Sequence, residues 1–230
     1  MNLVFYKLQT NSFKSFLVFA SISLILYSVL FFVFTSRSSI NSVVIDSENS
    51  ILTKELEKVI GKSYYQMTDS YINSFKIADQ SIQNIQIINF IDNALYLSVN
   101  YYEKVAVIED YRSRPITKNV LLKNGVYVTY KNEKLPKVSI LNGPVEEGFE
   151  GELISFFTTL DSKSTNLSDS KFKFDGDSFN GVIDELEINF GGLVDLGTKA
   201  ASIYDLLKSQ TCKGEVTFVS SESFITSCNI

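Results

Sequence analysis

Among the residue groupings able to do chemistry, Gly176-Asp177-Ser178 has the composition of a serine hydrolase motif. A serine hydroxyl needs a base to take its proton, and the chain contains no histidine. The same lack removes His-based triads, His metal ligation and a His general base. Asp175, Asp177 and Asp184 have the spacing of a loose calcium loop. Counted from Asp175, such a loop wants an oxygen ligand at the fifth position, glycine at the sixth and glutamate at the twelfth. Phe179, Asn180 and Leu186 stand there, so a solvated acidic loop is the better reading. Glu146/Glu147 and Asp184/Glu185/Glu187 offer paired carboxylates of the kind glycoside chemistry uses. They fall in expected loops and on the solvent face of an expected strand, where nothing buries them. No catalytic residue, cofactor, metal site or small-molecule substrate is expected, and the chain reads as a non-enzyme.

Cys212 and Cys228 both lie in the last 20 residues. In an oxidising compartment they could pair and staple the C-terminal segment. Two independent buried thiols are the other reading, because sequence does not give the Cα separation that a bridge requires.

These groups must be placed by the elements around them, and the first element is a membrane span. Residues 16–34 run 19 positions without a charge. At about 1.5 Å per residue that is roughly 28 Å, close to the ~30 Å hydrocarbon core. The interrupting serines can bond the carbonyls of the preceding turn. A signal peptide has a shorter apolar region ending at a small-x-small site. Here Thr35-Ser36-Arg37 follows, so an uncleaved anchor over 16–36 is expected. Lys7 and Lys14 precede the span, and Arg37, Asp46 and Glu48 follow it. The excess of positive charge before the span puts residues 1–15 in the cytoplasm, a single-pass type II arrangement in the cell membrane. From Ser38 onward there are 18 Lys and Arg against 26 Asp and Glu. That acidic balance argues against nucleic acid or anionic lipid as a partner.

Beyond the span, Ile40–Asp46 reads as a strand. Ser50 can cap a helix over Ile51–Ile60, with Leu52, Leu56, Val59 and Ile60 on one face. A second helix is expected over Thr68–Ile77. The period then drops to two over Ile82–Ile88 and Ala94–Tyr101, joined across Ile91-Asp92-Asn93. The order β-α-α-β-β describes two helices on a three-stranded sheet, an α+β module over 38–104. The remainder, 105–230, reads as a mainly antiparallel β domain with flanking helices. Its expected strands are Val105–Glu109, Asn119–Leu122 and Val126–Tyr130, then a meander of Lys171–Phe174, Val182–Phe190 and Leu193–Leu196 turning at Gly191-Gly192. Gly151–Leu160 and a Thr198-capped segment to Lys208 are expected helices. Glu215–Val219 is the expected last strand, which Phe224 and Ile225 would extend.

A bitopic chain with this module directly after its span resembles the FtsQ/DivIB family of bacterial divisome proteins. Val99-Asn100-Tyr101-Tyr102-Glu103-Lys104-Val105-Ala106 is similar to the family's junction strand, although Val105 stands at the usual proline. Leu121–Tyr127 resembles its glycine-aromatic hairpin. Leu135–Pro144 resembles its Leu-Pro-x-Leu-x-Gly-Pro segment, and Val194-Asp195-Leu196-Gly197 its closing elements. The resemblance implies that the first module is a POTRA domain. It also implies that the β domain engages small bitopic coiled-coil partners of the FtsB/DivIC and FtsL type, in support of septum formation. A last strand with an unpaired edge would accept an extended partner by main-chain pairing. Val216, Phe218 and Val219 are the partner-binding residues expected on that basis. The alternative is a POTRA-bearing membrane-anchored chaperone or secretion component with no part in division.

Overall fold

The chain opens with α1 (Asn2–Arg37), a helix of 36 residues. Its segment Lys14–Phe34 is exposed, and it is long and apolar enough to cross a membrane. Ser21 and Ser28 turn their hydroxyls back to donate to the Leu17 and Leu24 carbonyls, each at 2.8 Å. Their polar atoms are satisfied within the helix, as a hydrocarbon environment demands. The computed structural model describes residues 2–47, 50–161, 167, 168, 170–209 and 213–229. Two compact units divide after Asn100.

The first unit continues with β1 (Ser42–Ile45), α2 (Ser50–Leu56), α3 (Asp69–Asn73), β2 (Ile82–Ile91) and β3 (Ala94–Tyr101). Short 3-10 turns cover Glu57–Val59, Tyr64–Gln66 and Ser74–Ala78. The sheet order is β1-β3-β2, with β1 parallel to β3. Ile40, Leu52, Leu56, Ile72, Ile85 and Leu95 are buried in its core. The side chain of Ser50, the expected cap of α2, lies outside the described residues. Thr68 does cap α3, accepting from the Tyr71 amide at 3.2 Å. Both helices are shorter than their apolar spacing predicts. After α3, Ser74 Oγ bonds the Tyr71 carbonyl at 2.6 Å, and such side-chain bonds compete with the helical ladder. Asp92 and Asn93, at φ 50° and 62°, make the two-residue turn between β2 and β3.

The second unit is a nine-stranded sheet carrying two helices. Its elements are β4 (Lys104–Asp110), β5 (Thr117–Leu122), β6 (Tyr127–Thr129), β7 (Lys137–Ile140), α4 (Phe149–Asp161), β8 (Lys171–Phe174), β9 (Phe179–Ile183), β10 (Leu186–Asn189), α5 (Leu196–Ser209), β11 (Lys213–Phe218) and β12 (Phe224–Asn229). The strand order is β12-β11-β10-β9-β8-β7-β4-β5-β6. The sheet is mostly antiparallel, with parallel pairings at β4/β7, β7/β8 and β10/β11. The whole chain is therefore mixed α+β.

One face of this sheet is sealed by phenylalanine. Phe156 of α4 meets Phe157, Phe172, Phe179 and Phe190 edge-on, with centroids 5.0–5.5 Å away. Phe190 stacks on Phe218 at 5.7 Å, and Phe218 meets Phe224 at 5.4 Å, so one aromatic chain runs from the core to β12. Gly181 makes room for it. A Cβ there would stand 2.2 Å from the Phe172 ring.

Several sequence expectations change here. Lys137–Ile140, to which the sequence pattern assigns no element, is β7 and sits between β4 and β8. Val182–Phe190 is not one strand. It breaks at Asp184-Glu185, whose φ values of 47° and 70° form the tight turn between β9 and β10. Gly191-Gly192 makes no hairpin, and Leu193–Leu196 makes no strand, because Leu196 already opens α5. The Leu196 amide donates to Glu152 of α4 at 2.9 Å, so a neighbouring helix supplies the cap expected from Thr198. Phe224 and Ile225 do not lengthen the strand before them. They begin β12, which folds back antiparallel on β11.

Candidate interaction edge

The expected open edge, Glu215–Val219, is an interior strand. β11 pairs with β10 on one side and with β12 on the other. Val216 is 1% exposed and Phe218 7%, both inside the phenylalanine core. Neither can meet a partner without unfolding the sheet. Val219 is 64% exposed but lies past the end of β11, where its amide donates to the Ser223 carbonyl at 3.0 Å. The edge therefore moves one strand outward. The cause is the Val219–Ser223 turn, which local pattern alone reads as a tail.

That bond also sets the register of the edge. Val219 and Ser223 are directly opposed, one step beyond the Phe218/Phe224 pair. Bonded and unbonded pairs alternate along an antiparallel ladder. Thr217/Ile225 and Glu215/Ser227 are thus bonded pairs, and the amides and carbonyls of Phe224, Thr226 and Cys228 point outward. Among the described residues no strand lies beyond β12. Phe224 anchors the strand on Phe218, whereas Ile225, 65% exposed, stands on the opposite face. β12 thus offers three outward main-chain positions and an exposed branched side chain. The aromatic and β-branched run Phe224-Ile225-Thr226 is its local signal in the sequence. Cys212 lies outside the described residues, and so does its expected pairing with Cys228.

Beside this edge, the sheet face away from α4 and α5 stays uncovered over β8 to β11 and forms a concavity of about 500 Å³. Cross-strand register puts Lys137 opposite Lys171 and Glu187 opposite Glu215. Like charges directly opposed on a sheet weaken it. Here the acids lie near β12 and the lysines farther in. Farther still, Glu109 accepts from Lys118 Nζ at 2.8 Å and from Tyr111 Oη at 3.0 Å. Lys118, above all, holds the Glu109 carboxyl below its usual range.

The other groupings from the sequence have local roles. Asp175 accepts from the Ser178 and Asp177 amides at 2.8 and 3.1 Å and from Ser178 Oγ at 3.1 Å. These bonds, the Ser178 amide first, keep its carboxyl below the ordinary value. The Gly176-Asp177-Ser178 serine is thus a turn residue. Glu146 and Glu147 are exposed in a loop, and Asp184 and Glu185 form the turn described above. Among the described residues no cluster of three or more His, Cys, Asp or Glu is arranged to hold a metal ion. Sequence reasoning missed Lys199. It is buried and donates to the Phe190 and Gly192 carbonyls at 2.8 and 3.0 Å, tying α5 to the loop after β10. Burial lowers its pKa.

No protein-family model matches the chain, and no match is found among the curated proteins.

Proposed function

We propose that this chain is a non-catalytic, membrane-anchored docking protein of the FtsQ/DivIB type. In this reading α1 crosses the cell membrane with its N-terminus inside. The first unit outside is a POTRA module, and the nine-stranded unit binds FtsB/DivIC- and FtsL-type bitopic proteins at the septum. The observation that carries it is β12: a terminal strand anchored by Phe224, with three residues' main-chain groups turned outward. An extended partner segment gains affinity from those groups and selectivity from alternate side chains. The β-α-α-β-β order in a β1-β3-β2 sheet, directly after the apolar helix, supports the POTRA assignment.

Thr226→Pro tests it in the full-length chain. Proline removes an amide that faces outward, so the β11 ladder survives while partner pairing loses a bond and meets a ring. A tagged wild-type chain should enrich at division sites and co-purify with small bitopic coiled-coil proteins. Thr226→Pro should lose that capture at least tenfold while melting within a few degrees of wild type. Capture at wild-type strength would remove β12 as the site. Uniform membrane distribution through the cell cycle would remove the division role.

A further inference from the structure

The seam between α1 and the small module is aromatic, and no flexible linker separates them. Ser38 is buried, with its Oγ 3.0 Å from Ser63 Oγ. Its carbonyl accepts from the Tyr64 amide at 2.7 Å. The Ile40 amide donates to the Lys62 carbonyl at 2.9 Å, and Gly61 returns a bond to Ile40 at 2.8 Å. The segment leaving α1 is thus clasped to residues 61–64. On this clasp the Tyr65 ring stacks on Phe34, with centroids 5.7 Å apart and planes 19° apart. Tyr64 lies 6.0 Å from Tyr65 and stacks on Phe90 at 4.7 Å. A concavity of about 440 Å³ opens among Val33, Phe34, Tyr64, Tyr65 and Phe90, and Tyr65 is 67% exposed.

Phe34 ends the 21-residue apolar segment. At about 1.5 Å per residue that segment matches the hydrocarbon thickness, so Phe34 falls at its boundary. A phenol ring stacked on Phe34 shares that depth. Tyrosine favours this layer because its ring is apolar and its hydroxyl is wet.

We infer that Tyr65, Tyr64 and Phe90 form an aromatic seat that inserts into the interfacial layer of the bilayer around the end of α1, so that the small module rests on the lipid surface. This rests on the reading that α1 crosses the membrane, and it extends that contact beyond the helix itself. The lipid region engaged is the uncharged glycerol and ester layer. From Ser38 onward acids outnumber bases by 26 to 18, which offers no general attraction to anionic headgroups.

The chain has no tryptophan, so Tyr65→Trp and Leu24→Trp each give a full-length protein with a single reporter. Each is reconstituted in phosphatidylcholine vesicles brominated at shallow or deep acyl positions. Leu24→Trp should be quenched most by deep bromines. Tyr65→Trp should be quenched at least twofold more by shallow bromines than by deep ones, with blue-shifted emission. If Leu24→Trp is lipid-quenched but Tyr65→Trp responds only to aqueous acrylamide, the seat is overturned and the membrane crossing stands. If neither is lipid-quenched, the crossing falls and the seat falls with it.

Discussion

Each sheet has two outer strands, and two of these four edges, β2 in the small sheet and β12 in the large one, are treated differently. In the small sheet, a side chain caps β2 at one position, Ile85. Asn73, at the end of α3, donates to the Ile85 carbonyl at 3.0 Å and accepts from the Ile85 amide at 2.9 Å. A carboxamide thus copies the two main-chain groups of a neighbouring strand. In the large sheet, β12 presents equivalent groups outward at Phe224, Thr226 and Cys228. Exposed edges are aggregation hazards and are usually blocked. A strand left open in a chain that caps another is what the docking proposal expects.

Substitutions can break this contrast. The largest effect is expected at Phe218, which links the core to β12. Phe218→Lys or Val216→Lys buries an unpaired ammonium and should destabilise the second unit by on the order of 4 kcal/mol. Chemical denaturation would show this as a lower midpoint. A stable Phe218→Lys protein would mean that β11 is not interior. Next is the alternation of the edge itself. Ile225 donates toward Thr217, whereas Thr226 faces out, so Ile225→Pro should cost about 1–3 kcal/mol where Thr226→Pro costs little. Equal costs at the two positions would refute the register.

Asn73→Ala sharpens the contrast from the other side. Loss of its two bonds to Ile85 should cost about 1–2 kcal/mol and uncover β2 at that position. Sedimentation should then reveal more self-association than in the wild-type chain, and a strictly unchanged sedimentation profile would deny the blocking role. The smallest effect is acid sensitivity of the small module. Asp46 accepts from Ser98 Oγ at 2.6 Å and from the Val99 amide at 3.0 Å, clasping the end of β1 to β3. These bonds, Ser98 first, hold its pKa below the ordinary 3.8. A folded-state carboxyl below its unfolded value contributes stability above that unfolded value and loses it as pH falls through the folded one. Wild type should therefore lose a small increment relative to Asp46→Asn only below about pH 4. Parallel acid titrations of the two would then run together instead of diverging if the clasp has no weight.

Much of the fold is legible locally. The uncharged run before Thr35, the two-residue period of β2 and β3, the Asp92-Asn93 turn and the apolar face of α4 all follow from spacing and turn chemistry within a few residues. The absence of histidine is legible in the same way, and composition alone narrows the chemistry open to the chain. What stays hidden depends on pairing between distant segments. β7 is four residues long, too short for its alternation to stand out. The start of α5 is capped by Glu152, 44 residues away in sequence. Above all, Glu215–Phe218 alternates polar and apolar residues and Phe224-Ile225-Thr226 is aromatic and β-branched, so both read as strand and neither says which lies outside. Only the return at Ser220–Ser223 and the parallel seat of β11 on β10 make the first a core strand and the second an edge. Strand patterns encode which face is buried, because that is set residue by residue. Edge identity is a property of the whole sheet's order, which tertiary structure alone decides.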